Sequence, residues 1–323
     1  MKTKKLCGLA LASLLVLSGC SSASKQVDGK DVLASIDGTN VLADDIYKKL
    51  TSSSTSGNTL FDYVLEQLVK EKFPVTDDMK ENASKIRENI ETNYKNEYGD
   101  DADDYLQSQL ASSGFKDMDA YEQSLIDSLQ YSEFIKKYVK DNFDKVFEDY
   151  YKQESPRLLS IVKVSMTNVE SPTDEEKENL KEVKNLLKTD KSFAAIASSY
   201  SDDDSKSAKG DIGVVDSTSG LANKYGDNIE TKALSLKPGE VSGAIKGTNG
   251  YYFLYCRSTD KEKIKEELKT VDIDSPLLVY DQYMTYYAFQ SYDLKYNDKD
   301  VEKKIKAAIK EALASREDER GED

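Results

Sequence analysis

Apolar residues recur every three or four positions along most of the chain, and only in one central stretch do they run together or alternate. Leu60, Val64 and Leu68, joined by Phe61, Leu65, Val69 and Phe73, form a wide apolar stripe that Pro74 stops. That spacing predicts a helix. A shorter helix is expected over residues 44–50, after a strand and turn at 32–38 and before a Ser/Thr/Gly-rich loop at 51–59. A polar helix is expected over about 77–98, broken by the acidic run Gly99-Asp100-Asp101-Ala102-Asp103-Asp104. Tyr121, Leu125, Leu129, Ile135, Tyr138 and Val139 then mark a long helix.

At Ser155-Pro156 the pattern changes. Residues 158–166 are apolar and β-rich. Helical spacing returns at 174–188 (Leu180, Val183, Leu187) and 192–200 (Phe193, Ile196, Ala197, Tyr200). A short strand is expected at 211–215, then a helix at 221–236 interrupted by Gly226. After the Lys237-Pro238-Gly239 turn come two apolar runs separated by Gly247-Thr248-Asn249-Gly250. Asn249-Gly250 suits a tight turn at positive φ, so the runs should pair as a hairpin. Strand, helices, strand, helix and hairpin in this order predict an α+β domain around a small antiparallel sheet. Beyond residue 260 the chain is helical again, and Val301, Ile305, Ala308, Ile309 and Leu313 form an amphipathic stripe. An isolated helical tail cannot bury that stripe, so it is expected to pack on the N-terminal helices and leave the middle domain as an insertion.

Composition narrows the function. Of 323 residues, 38% are hydrophobic and 33% charged, which implies much solvated helix surface, and the net charge is −15. Phosphates would be repelled, so no nucleic-acid partner is expected. The chain begins with Lys2, Lys4 and Lys5, followed by an uncharged run over residues 6–19. That run is shorter than the ~20 residues of a spanning helix, and has the form of an export signal. Leu17-Ser18-Gly19-Cys20, followed by small polar residues, resembles the lipobox of bacterial lipoproteins. The resemblance implies lipidation at Cys20 and a mature chain on the outer face of the bacterial cytoplasmic membrane. Loss of residues 1–19 removes three lysines and no acids, taking the charge to −18. Cys256 is then the one thiol besides Cys20, placed in an apolar strand as a small buried hydrophobe, and no internal disulfide is expected. With no histidine, neither a Ser-His-Asp triad nor a zinc site can be built. The aspartates at 100–104 lack the glycine and closing glutamate of a calcium loop. No metal or cofactor is expected. The chain has 21 tyrosines and no tryptophan. Tyr283, Tyr286, Tyr287, Phe289 and Tyr292 crowd one segment, partly as core and partly as an amphipathic surface for extended chains.

Four blocks occur in order: Phe193-Ala194-Ala195-Ile196-Ala197-Ser198-Ser199-Tyr200-Ser201-Asp202, Ser207-Ala208-Lys209-Gly210-Asp211-Ile212-Gly213, Leu236-Lys237-Pro238-Gly239-Glu240-Val241-Ser242 and Gly250-Tyr251. Together they closely resemble the parvulin type of peptidyl-prolyl cis-trans isomerase over about residues 157–258, and the lipobox and helical flanks are similar to the PrsA foldases of Gram-positive bacteria. Such a site needs no covalent chemistry. The X–Pro barrier of about 18–20 kcal/mol is largely lost amide resonance, and each ~1.4 kcal/mol removed gives tenfold in rate. In parvulins two histidines, a cysteine or aspartate, and Ser/Thr hydroxyls form a polar floor, with leucine, methionine and phenylalanine around the proline. Carried onto this chain, the histidine positions fall on Ser160 and Tyr252, and the acid or thiol position on Asp203. The hydroxyl positions fall on Gly247 and Asn249, and the apolar wall on Ile212, Leu221 and Ile229. Both histidines are thus replaced, and a hydrogen bond between the Ser160 and Tyr252 hydroxyls is the expected substitute.

The expected organisation is a signal and lipobox at 1–20 and a tether at 21–31. A helical chaperone-like region follows at 32–154, a parvulin-like domain at 155–259, helices packing back on the first region at 260–315, and a disordered end at 316–323. The resemblance implies a membrane-anchored foldase whose partners are unfolded or partly folded secreted polypeptides. Three activities stay open: an isomerase with a degenerate site, a holding chaperone with a vestigial isomerase domain, and a lipoprotein that captures peptides or solutes.

Overall fold

The structure, a computed structural model, describes residues 25–36, 39–53 and 56–321. The signal-like segment and Cys20 lie outside the described residues. The first part of the chain forms strands β1 (Gln26–Val27), β2 (Lys30–Ile36) and β3 (Thr39–Leu42), then helices α1 (Ala43–Ser52), α2 (Ser56–Lys72), α3 (Asp77–Tyr98), α4 (Ala102–Ser112), α5 (Met118–Asp141) and α6 (Phe143–Glu154). The middle part comprises β4 (Arg157–Ser165), α7 (Asp174–Leu186), α8 (Phe193–Tyr200), β5 (Asp211–Val215), α9 (Leu221–Tyr225), α10 (Asp227–Ser235), β6 (Ile245–Gly247) and β7 (Gly250–Ser258). Helices α11 (Lys261–Glu267), α12 (Met284–Gln290) and α13 (Lys299–Arg320) follow. Contacts divide the chain into two compact units, one from residues up to 62 with 296–308, the other from 63–295 with the residues from 309 onward. Among the described residues no helix is long and apolar enough to cross a membrane.

In the first unit β1, β2 and β3 form an antiparallel sheet in that order. The expected tether is therefore partly folded: Gln26 pairs with Asp31 and Val27 with Lys30, around an Asp28-Gly29 turn. Asp-Gly between short runs is a hairpin signal, and the polar composition of 21–31 concealed it. The returning stretch 296–308 docks in this unit. The Tyr47 hydroxyl donates to Asp298 at 3.1 Å, and Ile305 is fully buried.

The second unit holds α3–α6 and the inserted α+β domain. Side-chain caps start its long helices as their sequences suggest: Thr76 accepts from the Met79 amide, and Asp117 from the Ala120 amide. Phe134, Phe147 and Tyr150 are fully buried. Phe134 meets Tyr292 at 5.9 Å, and Tyr150 meets Tyr280 edge-on at 5.3 Å, so the stretch after the inserted domain packs on α5 and α6. The end expected to be disordered from residue 316 is helical to Arg320. Arg316 reaches Asp281 and Asp149, both at 2.7 Å, and Arg320 reaches Asp149 at 2.9 Å. A charge run resembles a solvated end until two of its arginines, one helical turn apart, meet carboxylates on a neighbouring element.

The inserted sheet has strand order β5-β4-β7-β6, antiparallel throughout. Strand alternation gives it two apolar faces. Leu159, Ile161, Tyr252, Leu254 and Cys256 face α9 and α10, whereas Val162, Val164 and Phe253 face α7 and α8. A capping box starts α7, with Thr173 and Glu176 each bonding the other's backbone amide. Asp216, at the end of β5 and fully buried, accepts from the Tyr150 hydroxyl of α6 and from Thr218, which ties the inserted domain to the helices.

The hairpin forms, but its turn differs from expectation. Gly247 pairs with Gly250, so the loop is Thr248-Asn249, and neither Asn249 nor Gly250 has a positive φ. Gly250 answers a different need: a Cβ there would lie 2.3 Å from the Val164 carbonyl oxygen.

Candidate functional site

The sheet face that carries α9 and α10 bears a cleft of ≈ 630 Å³. Asp203, Ile212 and Leu221 line it, together with Tyr225, Lys224, Pro276 and Val279. Ile212 stands on β5, and Leu221 opens α9 with only 6% of its surface exposed. Asp203 is not a solvated member of its acidic run. It is 6% exposed and caps a single 3-10 turn, accepting from the Ser205 amide at 3.0 Å and the Ser205 hydroxyl at 2.5 Å.

Tyr225 is the residue that sequence reasoning missed. It ends α9 one turn after Leu221, so both side chains fall on one helix face. That i,i+4 spacing was the available signal, whereas Ile229 lies on the next helix, beyond the break at Gly226. Ile229 is fully buried in the core under the cleft and is not among its lining residues. The aromatic wall is therefore present, as Tyr225, and not aliphatic. Its ring meets Tyr252 at 5.3 Å, edge to face, and carries the Lys224 ammonium 5.0 Å from its centroid. The Tyr225 hydroxyl is buried without a partner of hydrogen-bonding geometry. Burial, and then the neighbouring Asp203 carboxylate, push its pKa well above the ordinary tyrosine range.

Ser160 and Tyr252 do not meet. Ser160 pairs with Tyr255 in the sheet, and Tyr255 packs on the α7/α8 side. Tyr252 pairs with Lys163 and packs on the α9/α10 side. With a side-chain period of two, the expected hydroxyl pair lies on opposite faces of the sheet. The sequence match placed Ser160 by strand position, without the register that decides its face.

Tyr252 has closed its own corner of the site. It is fully buried, and its hydroxyl donates to the Asn249 side-chain oxygen. Burial raises its pKa first, and Asp203 adds to that. A Cβ on Gly247 would lie 2.5 Å from the Tyr252 ring and 2.4 Å from the Tyr225 carbonyl oxygen. The loss of a side chain at 247 and the tyrosine at 252 are therefore one packing event: the ring lies against the Gly247 backbone, where a side chain at 247 would begin. Asp203 remains beside both tyrosines.

Residues 160–258 match the family model of the PPIC-type peptidyl-prolyl isomerase (rotamase) domain. The whole chain is similar to foldase protein PrsA 4 of Bacillus cereus, 26% identical over 321 residues, covering 95% of this chain and 99% of that protein. It is likewise 26% identical over 307 residues to foldase protein PrsA of Staphylococcus aureus, covering 92% and 90%. The chain is similar over its length to the PrsA-type foldases and carries a parvulin-like domain. The crystal structure of PrsA from Bacillus subtilis overlays with a TM-score of 0.40 at 22% identity, covering 86% of this chain and 98% of that one. Within this parvulin-like domain the apolar residues Ile212 and Leu221 and the acids Asp203 and Asp211 converge on the cleft, and no imidazole does. The cleft can seat a small ring between Ile212, Leu221 and Tyr225. Its polar lining includes the Asp203, Asp211 and Asp274 carboxylates, the Lys224 ammonium and the Tyr225 phenol. Cys256, fully buried with its thiol pKa raised by burial, packs as a core residue.

Proposed function

We propose that the chain is a lipid-anchored extracytoplasmic foldase that binds unfolded secreted polypeptides, and that its parvulin-like domain grips prolyl segments while accelerating their isomerisation only weakly. The observation that carries this reading is the Tyr252 corner. The second histidine position holds a buried ring whose hydroxyl is already engaged by Asn249, and the facing hydroxyl position is a glycine. A shaped apolar hollow still binds; a floor without its donors does little for the twisted amide, whose stabilisation is what sets the rate. The lipobox-like segment supports the anchor, since each buried CH₂ of an acyl chain contributes about 0.8 kcal/mol. The net charge of −15 supports a preference for basic clients, and client binding indifferent to salt would count against that part.

Two assays on the chain from residue 21 onward test the reading. Isomerisation of a prolyl tetrapeptide should run close to the uncatalysed rate, while aggregation of a denatured secreted protein should be suppressed at stoichiometric amounts. Fast turnover that Asp203→Ala or Tyr225→Phe abolishes would overturn the weak-catalyst part. Failure to suppress aggregation would overturn the chaperone part.

A further inference from the structure

The cleft extends past the parvulin-like domain. Asp274, Pro276 and Val279, which line it, lie outside the segment that matches the family model. They belong to the stretch between α11 and α12, and that stretch is firmly seated. Leu277 is fully buried and Ser275 nearly so, and the Tyr280 hydroxyl donates to Asp149 of α6 at 2.9 Å. Pro276 begins a single 3-10 turn whose fixed φ keeps the stretch in shape. Buried and outward positions divide the work: 275 and 277 anchor, while 274, 276 and 279 face the cleft. Val279 exposes 63% of its surface beside that cleft, an apolar side chain with room for an apolar partner.

The charges around the hollow are uneven. Asp203, Asp211 and Asp274 face it with one ammonium, Lys224. Asp203 holds Ser205, and Asp211 is ion-paired with Arg257. Lys224 lies over the Tyr225 ring. Asp274 stands exposed on the added wall.

We propose that residues 274–279 form a specificity wall of the peptide site: Pro276 and Val279 receive an apolar residue next to the client proline, and Asp274 selects a cationic residue beyond it. The inference rests on the reading of the cleft as a prolyl-segment site and adds the substrate class. The wall is fixed by its anchors, so it shapes selectivity without closing.

The test uses the chain from residue 21 onward and three fluorescein-labelled decapeptides with a central Leu-Pro, carrying lysine, glutamine or glutamate two positions before the proline. Binding is read by fluorescence anisotropy. The lysine peptide should bind about two- to fivefold tighter than the glutamate peptide, the scale of one exposed charge pair. Asp274→Lys should erase or reverse that order. Val279→Asp should weaken all three peptides severalfold, and Val279→Ile should restore binding. Both positions are exposed, and unchanged far-ultraviolet circular dichroism verifies folding of each variant. If the unaltered chain binds the peptides and neither substitution alters affinity or order, the wall is a bystander and only this inference fails. Tighter binding by Val279→Asp would mean that the segment obstructs the cleft, which also overturns it. If the unaltered chain binds none of the peptides, the prolyl-site reading falls with it.

Discussion

The packing of Tyr252 against Gly247 gives the sharpest test of how this site departed from the parvulin pattern. In Gly247→Ala the new Cβ would sit 2.5 and 2.8 Å from two carbons of the Tyr252 ring and 2.4 Å from the Tyr225 carbonyl oxygen. Contacts that short force β6 or the ring to move, and overpacking of this kind costs about 1–3 kcal/mol. The ring is one of two obstacles. Replacing it with leucine should relieve part of the clash, so Gly247→Ala should cost about 1 kcal/mol less in a Tyr252→Leu background. The chain has two compact units, so a global melting curve would mix events. Hydrogen exchange of β7 amides, followed by mass spectrometry in the four proteins of the cycle, reads the local opening free energy directly. Equal costs of Gly247→Ala in both backgrounds would refute the coupling, and with it the argument that the two substitutions form one packing event.

Three further outcomes are expected. Tyr150→Phe removes the donor to buried Asp216 and should destabilise the join between α6 and β5 by about 1.5–3 kcal/mol, visible as an earlier denaturant midpoint for peptides of both elements. Arg316→Met leaves the Asp281 carboxylate, 4% exposed in its side chain, without one of its two arginines; a loss of about 3–5 kcal/mol should appear as rapid exchange through the last turns of α13, and unchanged protection there would contradict the clasp. The Glu176 carboxylate accepts from the Thr167 and Thr173 amides, which lowers its pKa from the ordinary 4.5 to about 2. Its folded value is depressed, so its contribution is complete above pH 4.5 and is lost as pH falls towards 2. Protection of those two amides should therefore survive at pH 4.5 and fade below about pH 3, and carbon-13 titration of the Glu176 side chain should show the low value.

The sequence by itself determined the element pattern and the family. Apolar spacing marked the helix from Leu60 to its end at Lys72 and the long helices after it, because a helix that must bury one face writes that face at a period of 3.6. That first helix begins at Ser56, inside the stretch read as a loop. The α+β character of the middle domain followed from its run of strand and helix signals, and the blocks around Ser201, Gly210 and Gly239 carried the parvulin resemblance. Asp203 and Ile212 were legible as cleft residues because they sit beside and inside matched blocks, whereas Leu221 was reached by counting on from the second block. What only the tertiary structure decided was which side chains share a face and what faces them. Ser160 and Tyr252 each occupy a correct strand, yet register places them on opposite sides of the sheet. Tyr225 rather than Ile229 lines the cleft, because Ile229 is buried in the core cluster under it. Arg316 and Arg320 left the solvated tail because carboxylates more than thirty residues away, Asp149 and Asp281, lie within reach of them. The physical reason is common to all three. Local patterns report the period of a segment, whereas a contact between distant segments depends on register and packing, which no single stretch of chain encodes.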